Sequence, residues 1–150
     1  MNIYNYDITL QEVPDEVSLT ILVSGCPLHC KGCSSPEAWK EGREFKCSNL
    51  TNLIDRFSGY VSCVCFLGGE WDEEFPKYLD IVKNKKLKSC LYTGRMKVKK
   101  EIEERLDYLK TGPWMPKYGG LDNPGTNQKF IDVKNNKELN YKFQHVHKTN

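Results

Sequence analysis

The chain has 150 residues, of which 22 are basic and 20 are acidic, so its formal net charge is only +2. This balance gives no argument for nucleic acid or a membrane as the main partner, and no apolar run approaches the roughly 20 residues of a membrane span. The length suits a single domain over residues 1–150. The polar N-terminus lacks a signal-peptide layout, which predicts a soluble, cytoplasmic protein.

The first third of the chain predicts two strands and a helix around a cysteine-rich loop. Residues 2–13 are a mixed polar and apolar segment that suits an edge strand, whereas residues 17–23 are β-branched and apolar, as in a buried strand. The cysteine loop at 26–33 follows. A helix is predicted over 49–58, with Ser48 as its N-cap, because apolar residues recur there at helical spacing.

The rest of the chain alternates strands and helices before a long loop. The predicted elements are a strand at 60–67, a helix at 72–84, a strand at 87–92, a short helix at 98–104, a strand at 106–109 and a last strand at 128–133. The Gly- and Pro-rich segment 112–126 is predicted to be a loop, and loops of this length in a compact domain are usually functional or disordered. The Lys- and Asn-rich tail after 134 is expected to fray.

This alternation predicts an α/β fold with a mostly parallel, open sheet. Ligands of such sheets bind beyond the carboxyl ends of the strands. Four segments each follow a predicted strand, so we expect them to gather at one edge of the sheet. They are the cysteine loop, Gly68-Gly69-Glu70, Thr93-Gly94 and Gly112-Pro113.

Three of the seven cysteines fall within eight residues, in the sequence Cys26-Pro-Leu-His-Cys30-Lys-Gly-Cys33. In a cytosolic protein, clustered thiols indicate metal or redox chemistry rather than a disulfide framework. The same spacing would also place the thiols along one face of a helix. Pro27 and the flanking glycines argue against that helix.

Two kinds of metal site remain. Structural zinc uses four N or S ligands, usually as two separated pairs, and here the nearest fourth ligand is His29 or Cys47. An iron–sulfur cluster is normally held by thiolates. Three thiolates would hold three irons of a cubane and leave the fourth open to a small chelating ligand, as a catalytic site requires. The other cysteines, Cys63, Cys65 and Cys90 together with Cys47, are interpreted as core residues.

The C-x3-C-x2-C spacing resembles the signature of the radical S-adenosylmethionine enzymes. The resemblance implies that Cys26, Cys30 and Cys33 hold one [4Fe-4S] cluster, whose open iron is chelated by the methionine part of S-adenosylmethionine. Gly32 stands where many members carry an aromatic residue near the adenine. The resemblance therefore implies backbone contacts to the cofactor from Gly32 through Ser34 and the loss of a side-chain stack.

Gly68-Gly69-Glu70 ends the second apolar strand. By itself it is an ordinary turn, with Glu70 favourable at a helix N-terminus. Its position resembles the GGE motif of the same superfamily, which implies that it holds the methionine amino group. Trp71 follows it here, where many members have Pro. Thr93, in the YTG of residues 92–94, is placed in the same cofactor site.

The short chain and its further motifs resemble the family of activating proteins of anaerobic ribonucleoside-triphosphate reductase. The motifs are VSGC before the loop, PEAW at 36–39, YTG at 92–94, KTGP at 110–113 and TNQKFID at 126–132. The resemblance implies a shortened partial (β/α) barrel and an activase that makes a glycyl radical on the large reductase subunit. It also implies an electron donor such as flavodoxin.

Other functions stay open on the sequence. An activase of another glycyl radical enzyme, a small stand-alone radical enzyme and a non-catalytic metal-binding module all fit the cysteine loop. The implied chemistry requires no side-chain general base, so no catalytic residue is predicted beyond the cluster ligands.

Overall fold

The structure is a computed structural model that describes residues 1–30, 32–33 and 36–144. These residues form eight strands, three α-helices and two short 3-10 turns. In chain order they are β1 (Asn2–Thr9), β2 (Ser18–Val23), a 3-10 turn (Pro36–Trp39), β3 (Arg43–Glu44), α1 (Cys47–Arg56), β4 (Cys63–Leu67), α2 (Phe75–Asn84), β5 (Lys88–Tyr92), α3 (Lys100–Glu103), β6 (Tyr108–Thr111), β7 (Lys129–Asp132), β8 (Lys137–Glu138) and a second 3-10 turn (Asn140–Phe143).

All eight described strands belong to one sheet, in the order β3-β1-β2-β4-β5-β6-β7-β8. The central strands β2, β4, β5 and β6 are parallel, whereas every pairing outside them is antiparallel. The prediction of an α/β fold is confirmed. The prediction of a mostly parallel sheet is right only for the four central strands, and the sheet as a whole is mixed. The reason lies in the connections: no α-helix joins β1 to β2 or β6 to β7, and parallel neighbours need a crossover.

The two faces of the sheet are covered differently. Alternate strand residues point to opposite faces. Helices α1 and α2 cover one face, where the larger core contains Leu19, Ile21, Val64, Phe66 and Leu91. The other face carries a smaller core in which Val13, Leu121 and Leu139 cover strand residues that include the buried Cys63, Cys65 and Cys90. The interpretation of these three cysteines as core residues is confirmed.

Both long helices begin at residues other than those predicted. Helix α1 begins at Cys47 with Lys46 as its N-cap, so Ser48 is not the cap; the side-chain oxygen of Asn49 accepts a hydrogen bond from the Lys46 N–H at 2.8 Å. The predicted helix at 72–84 begins only at Phe75, because a turn precedes it. In that turn the Asp72 carboxylate accepts a hydrogen bond from the Glu74 N–H at 2.8 Å.

The segment after residue 134 is ordered as far as the structure describes it, contrary to the expectation that it frays. Strand β8 pairs with β7. The Asn140 side chain accepts a hydrogen bond from the Phe130 N–H at 2.7 Å and donates one to the Gln128 carbonyl at 2.9 Å. Of the helices that the structure describes, none has the length and apolar character needed to cross a bilayer.

Candidate functional site

A cavity of about 430 Å³ opens at the carboxyl ends of the parallel strands. This volume lies within the range of small-molecule sites. Three of the four segments expected to gather there line the cavity, through Cys26, Glu70, Thr93 and other residues, whereas Gly112-Pro113 does not and only its neighbours Lys110 and Trp114 do. Its wall is formed by Glu12, Leu22, Val23, Cys26, Leu28, Cys30, Cys33, Ala38, Trp39, Leu67, Gly68, Glu70, Trp71, Tyr92, Thr93, Gly94, Lys110, Trp114, Gly120, Leu121 and Gln128.

The cysteine loop is irregular, is anchored at its first residue and carries one hydrogen bond of its own. Gly25 just before it, at φ +84°, and two of its own residues, His29 at +49° and Gly32 at +73°, adopt the left-handed conformation. The Cys26 N–H donates to the Ala38 carbonyl at 3.0 Å, and the Cys33 N–H donates to the Cys30 carbonyl at 3.0 Å. These bends bring all three half-buried thiols onto the wall of one cavity.

The 3-10 turn at Pro36–Trp39 supports this loop from one side. The His29 ring stacks on the Trp39 ring with their centroids 4.7 Å apart and an interplanar angle of 15°. Trp39 therefore fixes the middle of the cysteine loop, while the carbonyl of Ala38 holds its first residue.

The remaining cysteines lie outside the cavity. Cys63, Cys65 and Cys90 are buried in the smaller core beneath it, and burial raises the pKa of Cys63 and Cys90 well above the ordinary thiol value. Since thiolates are the form that binds metal, neutral buried thiols make poor ligands. Cys47 lies at the start of α1 and packs against the larger core.

The donor set at the cavity is therefore three thiols. Within residues 1–30, 32–33 and 36–144, no three His, Cys, Asp or Glu side chains converge closely enough to hold a single metal ion. A cubane cluster does not require such convergence, because each thiolate binds a different iron. Three thiols that share one cavity wall thus fit a [4Fe-4S] cluster with one iron open to the cavity.

The turn after β4 presents Glu70 to the cavity. Gly68 and Gly69 have φ values of +91° and +113°. A Cβ at Gly68 would lie 2.6 Å from the Trp71 ring, and one at Gly69 would lie 3.0 Å from Phe75. Gly68 lines the cavity, whereas Gly69 packs beneath it and does not. Both positions thus require glycine for the turn that places Glu70.

Glu70 is a buried carboxylate that is only half satisfied. Its Oε2 accepts a hydrogen bond from Arg95 Nε at 3.3 Å, while Oε1 has no hydrogen-bond partner among the described residues. Burial raises the pKa of Glu70, and Arg95 and Thr93 oppose that rise only in part. Thr93 also lines the cavity, and its hydroxyl accepts the Arg95 N–H at 3.0 Å. One carboxylate oxygen is left for a ligand.

Lys110 is a site residue that the sequence analysis did not assign. It lies within β6, in register with Tyr92 and Phe130, and is only 8% exposed. Its ammonium donates to the Gly112 carbonyl at 2.8 Å and more weakly to the Thr93 carbonyl at 3.4 Å. Burial lowers the pKa of Lys110 to about 8, while the negative charges of Cys30, Cys33 and Glu70 act to raise it.

Lys110 was missed because the predicted strand ended at 109, which placed it in a loop. Strand β6 in fact extends to Thr111. Had the predicted strand been extended by two residues, a lysine inside a strand would have indicated a buried charge at the cavity. Of the other predicted contacts, Gly32 lies beside the cavity against Trp114, and Ser34 falls outside the described residues.

Three thiols can hold three irons of a cubane and leave the fourth iron open. Next to a cavity of small-molecule size, such a set is characteristic of an iron–sulfur protein whose cluster binds a ligand. Residues 16–111 match the family model described as a 4Fe-4S single cluster domain, and the chain belongs to that family. The matched segment includes the cysteine loop, the turn at Glu70 and strand β6 with Lys110. A comparison with curated proteins found no match.

Proposed function

We propose that the chain is a radical S-adenosylmethionine activase that generates a glycyl radical on the large subunit of anaerobic ribonucleoside-triphosphate reductase. The observation that carries the proposal is that the three-thiol loop shares its cavity with the unsatisfied carboxylate of Glu70. One cavity wall thus carries three thiols for a cluster and a carboxylate oxygen that can accept a hydrogen bond from an amino group. An electron donor such as flavodoxin completes the proposed system.

The chemistry that a bound [4Fe-4S] cluster would supply is a one-electron reduction. One electron delivered through the cluster would break the carbon–sulfur bond of the sulfonium, giving methionine and a 5′-deoxyadenosyl radical that takes a hydrogen atom from a glycine of the partner. The contribution of the protein is to bind, orient and shield the reactants.

The charges of the cavity suit the amino and carboxylate groups of the methionine part. Glu70 Oε1 is available to accept a hydrogen bond from its amino group, and Arg95 on Oε2 keeps the Glu70 carboxylate in place. Lys110 provides a buried ammonium for its carboxylate. Because charge-assisted hydrogen bonds are stronger than neutral ones, both contacts would orient the substrate as well as hold it.

The floor of the cavity favours exclusion of water. Leu22, Leu67 and Tyr92 lie side by side on β2, β4 and β5 and line the cavity. The Tyr92 hydroxyl donates a hydrogen bond to the Glu12 carbonyl, and burial raises the pKa of Tyr92. The tyrosine therefore stays neutral, and these three side chains would present an uncharged surface to the reactive carbon beside Lys110.

The partner is tested by mixing the cluster-loaded, reduced protein with S-adenosylmethionine and an anaerobic ribonucleoside-triphosphate reductase large subunit. We expect the doublet signal of a glycyl radical in electron paramagnetic resonance spectra, and its absence when the reductase glycine is replaced by alanine. A protein that cleaves S-adenosylmethionine but gives no radical on the reductase would overturn the choice of partner while leaving the cleavage reaction in place.

A further inference from the structure

Three tryptophans line the cavity, and two of them already have defined structural contacts. The Trp39 ring is stacked on His29 at 4.7 Å. The Trp71 ring covers Gly68, where a Cβ would lie 2.6 Å from it, and its indole nitrogen approaches Gly25. Both rings therefore shape the loops that carry the cysteines and Glu70.

Trp114 also packs against glycines, but its ring joins the cysteine loop to a segment of the long loop after β6. A Cβ on Gly32 would lie 3.1 Å from its Nε1 atom, and a Cβ on Gly120 would lie 3.5 Å from its Cζ3 atom. These two atoms are at opposite ends of the indole, so the ring spans from the cysteine loop to the loop at 119–121. Glycine at position 32 leaves room for the ring, whereas a Cβ at position 120 would only be in ordinary contact with it.

The segment that carries Trp114 is fixed by its own hydrogen bonds. The Pro113 carbonyl accepts bonds from the side-chain amides of Asn127 at 3.1 Å and of Gln128 at 3.4 Å. Farther along, the Thr126 hydroxyl donates to the Gly119 carbonyl at 3.1 Å. A ring held in this way is ordered before a ligand arrives, which reduces the entropy cost of binding.

We propose that Trp114 is the platform on which the adenine base of the substrate stacks. The inference rests on the proposed function, since it takes S-adenosylmethionine as the ligand, and it names a specificity residue beyond the stretch of residues 16–111 that matches the family. Aromatic rings bind bases through their faces regardless of hydrogen-bond pattern. Trp114 packs against Gly32 of the cysteine loop and places an aromatic ring on the cavity wall that also carries the three thiols.

The test compares ligands with and without the base. Cluster-loaded wild type, Trp114→Ala and Trp114→Phe are titrated with S-adenosylmethionine by equilibrium dialysis, and methionine is measured as a competitor. We expect Trp114→Ala to bind S-adenosylmethionine roughly 5- to 150-fold more weakly, the usual range for a lost stacking contact. Trp114→Phe should keep most of the affinity, and the methionine affinity should not change in either variant.

The control is Tyr118→Ala, an aromatic residue of the same loop that does not line the cavity; it should bind as wild type does. Absorbance of the cluster and far-ultraviolet circular dichroism establish that each variant is loaded and folded. Unchanged affinity of Trp114→Ala, or an equal loss for methionine, overturns the role of Trp114 alone. A loaded wild type that does not bind S-adenosylmethionine overturns the proposed function as well.

Discussion

Two buried charges of opposite sign, Glu70 and Lys110, face the same cavity, and each is 8% exposed. Glu70 pairs with Arg95, whereas Lys110 bonds to backbone carbonyls. Burial disfavours the charged form of both, so both weaken the folded state near neutral pH. Residues that lower stability in this way are typical of functional sites.

Replacing Lys110 by methionine should stabilise the cluster-free protein in a pH-dependent way. The pKa of Lys110 is about 8 in the folded state against 10.5 for an unperturbed lysine, so the unfolded chain binds more protons between these values and wild-type stability rises with pH there. Lys110→Met should exceed wild type by up to roughly 3 kcal/mol at pH 7, at 1.36 kcal/mol per pKa unit. That advantage should shrink toward pH 10.5.

Urea unfolding of both cluster-free proteins at several pH values between 7 and 10.5 measures this difference. Taking the difference between variant and wild type cancels the titration of the cysteines and tyrosines that both proteins share. A difference that stays constant across the range would contradict the burial of a charged lysine.

Glu70→Gln should separate stability from binding. The pKa of Glu70 is raised above 4.5 in the folded state, so wild-type stability falls as the pH rises through the window between the two values. The side-chain amide of the Glu70→Gln variant does not titrate, so the stability of the variant should not fall in this window. Since a hydrogen bond to a charged group is lost, the cluster-loaded variant should bind S-adenosylmethionine roughly 10- to 150-fold more weakly. Equal affinity for the two proteins would remove Glu70 from the substrate site.

At the scale of elements, the sequence predicts best where local patterns decide the structure. The apolar strands β2, β4 and β5 are predicted within three residues at each end, and the cysteine loop follows from its breakers. The spacing of the thiols and the turn at Glu70 are equally local, so the part of the site that they form could be predicted.

Elements that depend on distant partners could not be predicted. Lys110 is a strand residue only because β6 pairs with Tyr92 on one side and Phe130 on the other. Trp114 reaches the cavity because of its contact with Gly32, far away in the sequence. Strand β8 forms through pairing with β7 in a polar stretch that carries no apolar pattern.

Asn140→Ala should loosen the C-terminal elements. It removes two hydrogen bonds that join the second 3-10 turn to Phe130 and Gln128, at 2.7 and 2.9 Å. We expect a loss of about 1–3 kcal/mol in the free energy of unfolding, because both backbone groups lose a partner. Urea unfolding measures it, with the exposed Lys134→Ala as the control that should not change. Equal midpoints for the two variants would show that Asn140 does not anchor this segment.

At the scale of the whole molecule, the open sheet explains why the site is both sheltered and accessible. Helices seal one face. On the other face, Val13 in the β1–β2 connection and Leu139 near the C-terminus close the smaller core below the cavity. The carboxyl ends of the parallel strands stay open above it, which gives a small molecule a sheltered floor and leaves the mouth of the cavity accessible to a segment of the proposed partner.

We propose that Cys26, Cys30 and Cys33 hold a cluster that cleaves S-adenosylmethionine. The most direct measurement is to reconstitute the protein anaerobically with iron and sulfide, reduce it, add S-adenosylmethionine and quantify 5′-deoxyadenosine by chromatography. Wild type and Cys47→Ala, whose thiol lies outside the cavity, should yield the nucleoside, and Cys30→Ala should yield none. A wild type that takes up no cluster, or a Cys30→Ala variant that yields as much nucleoside as wild type, would contradict the account.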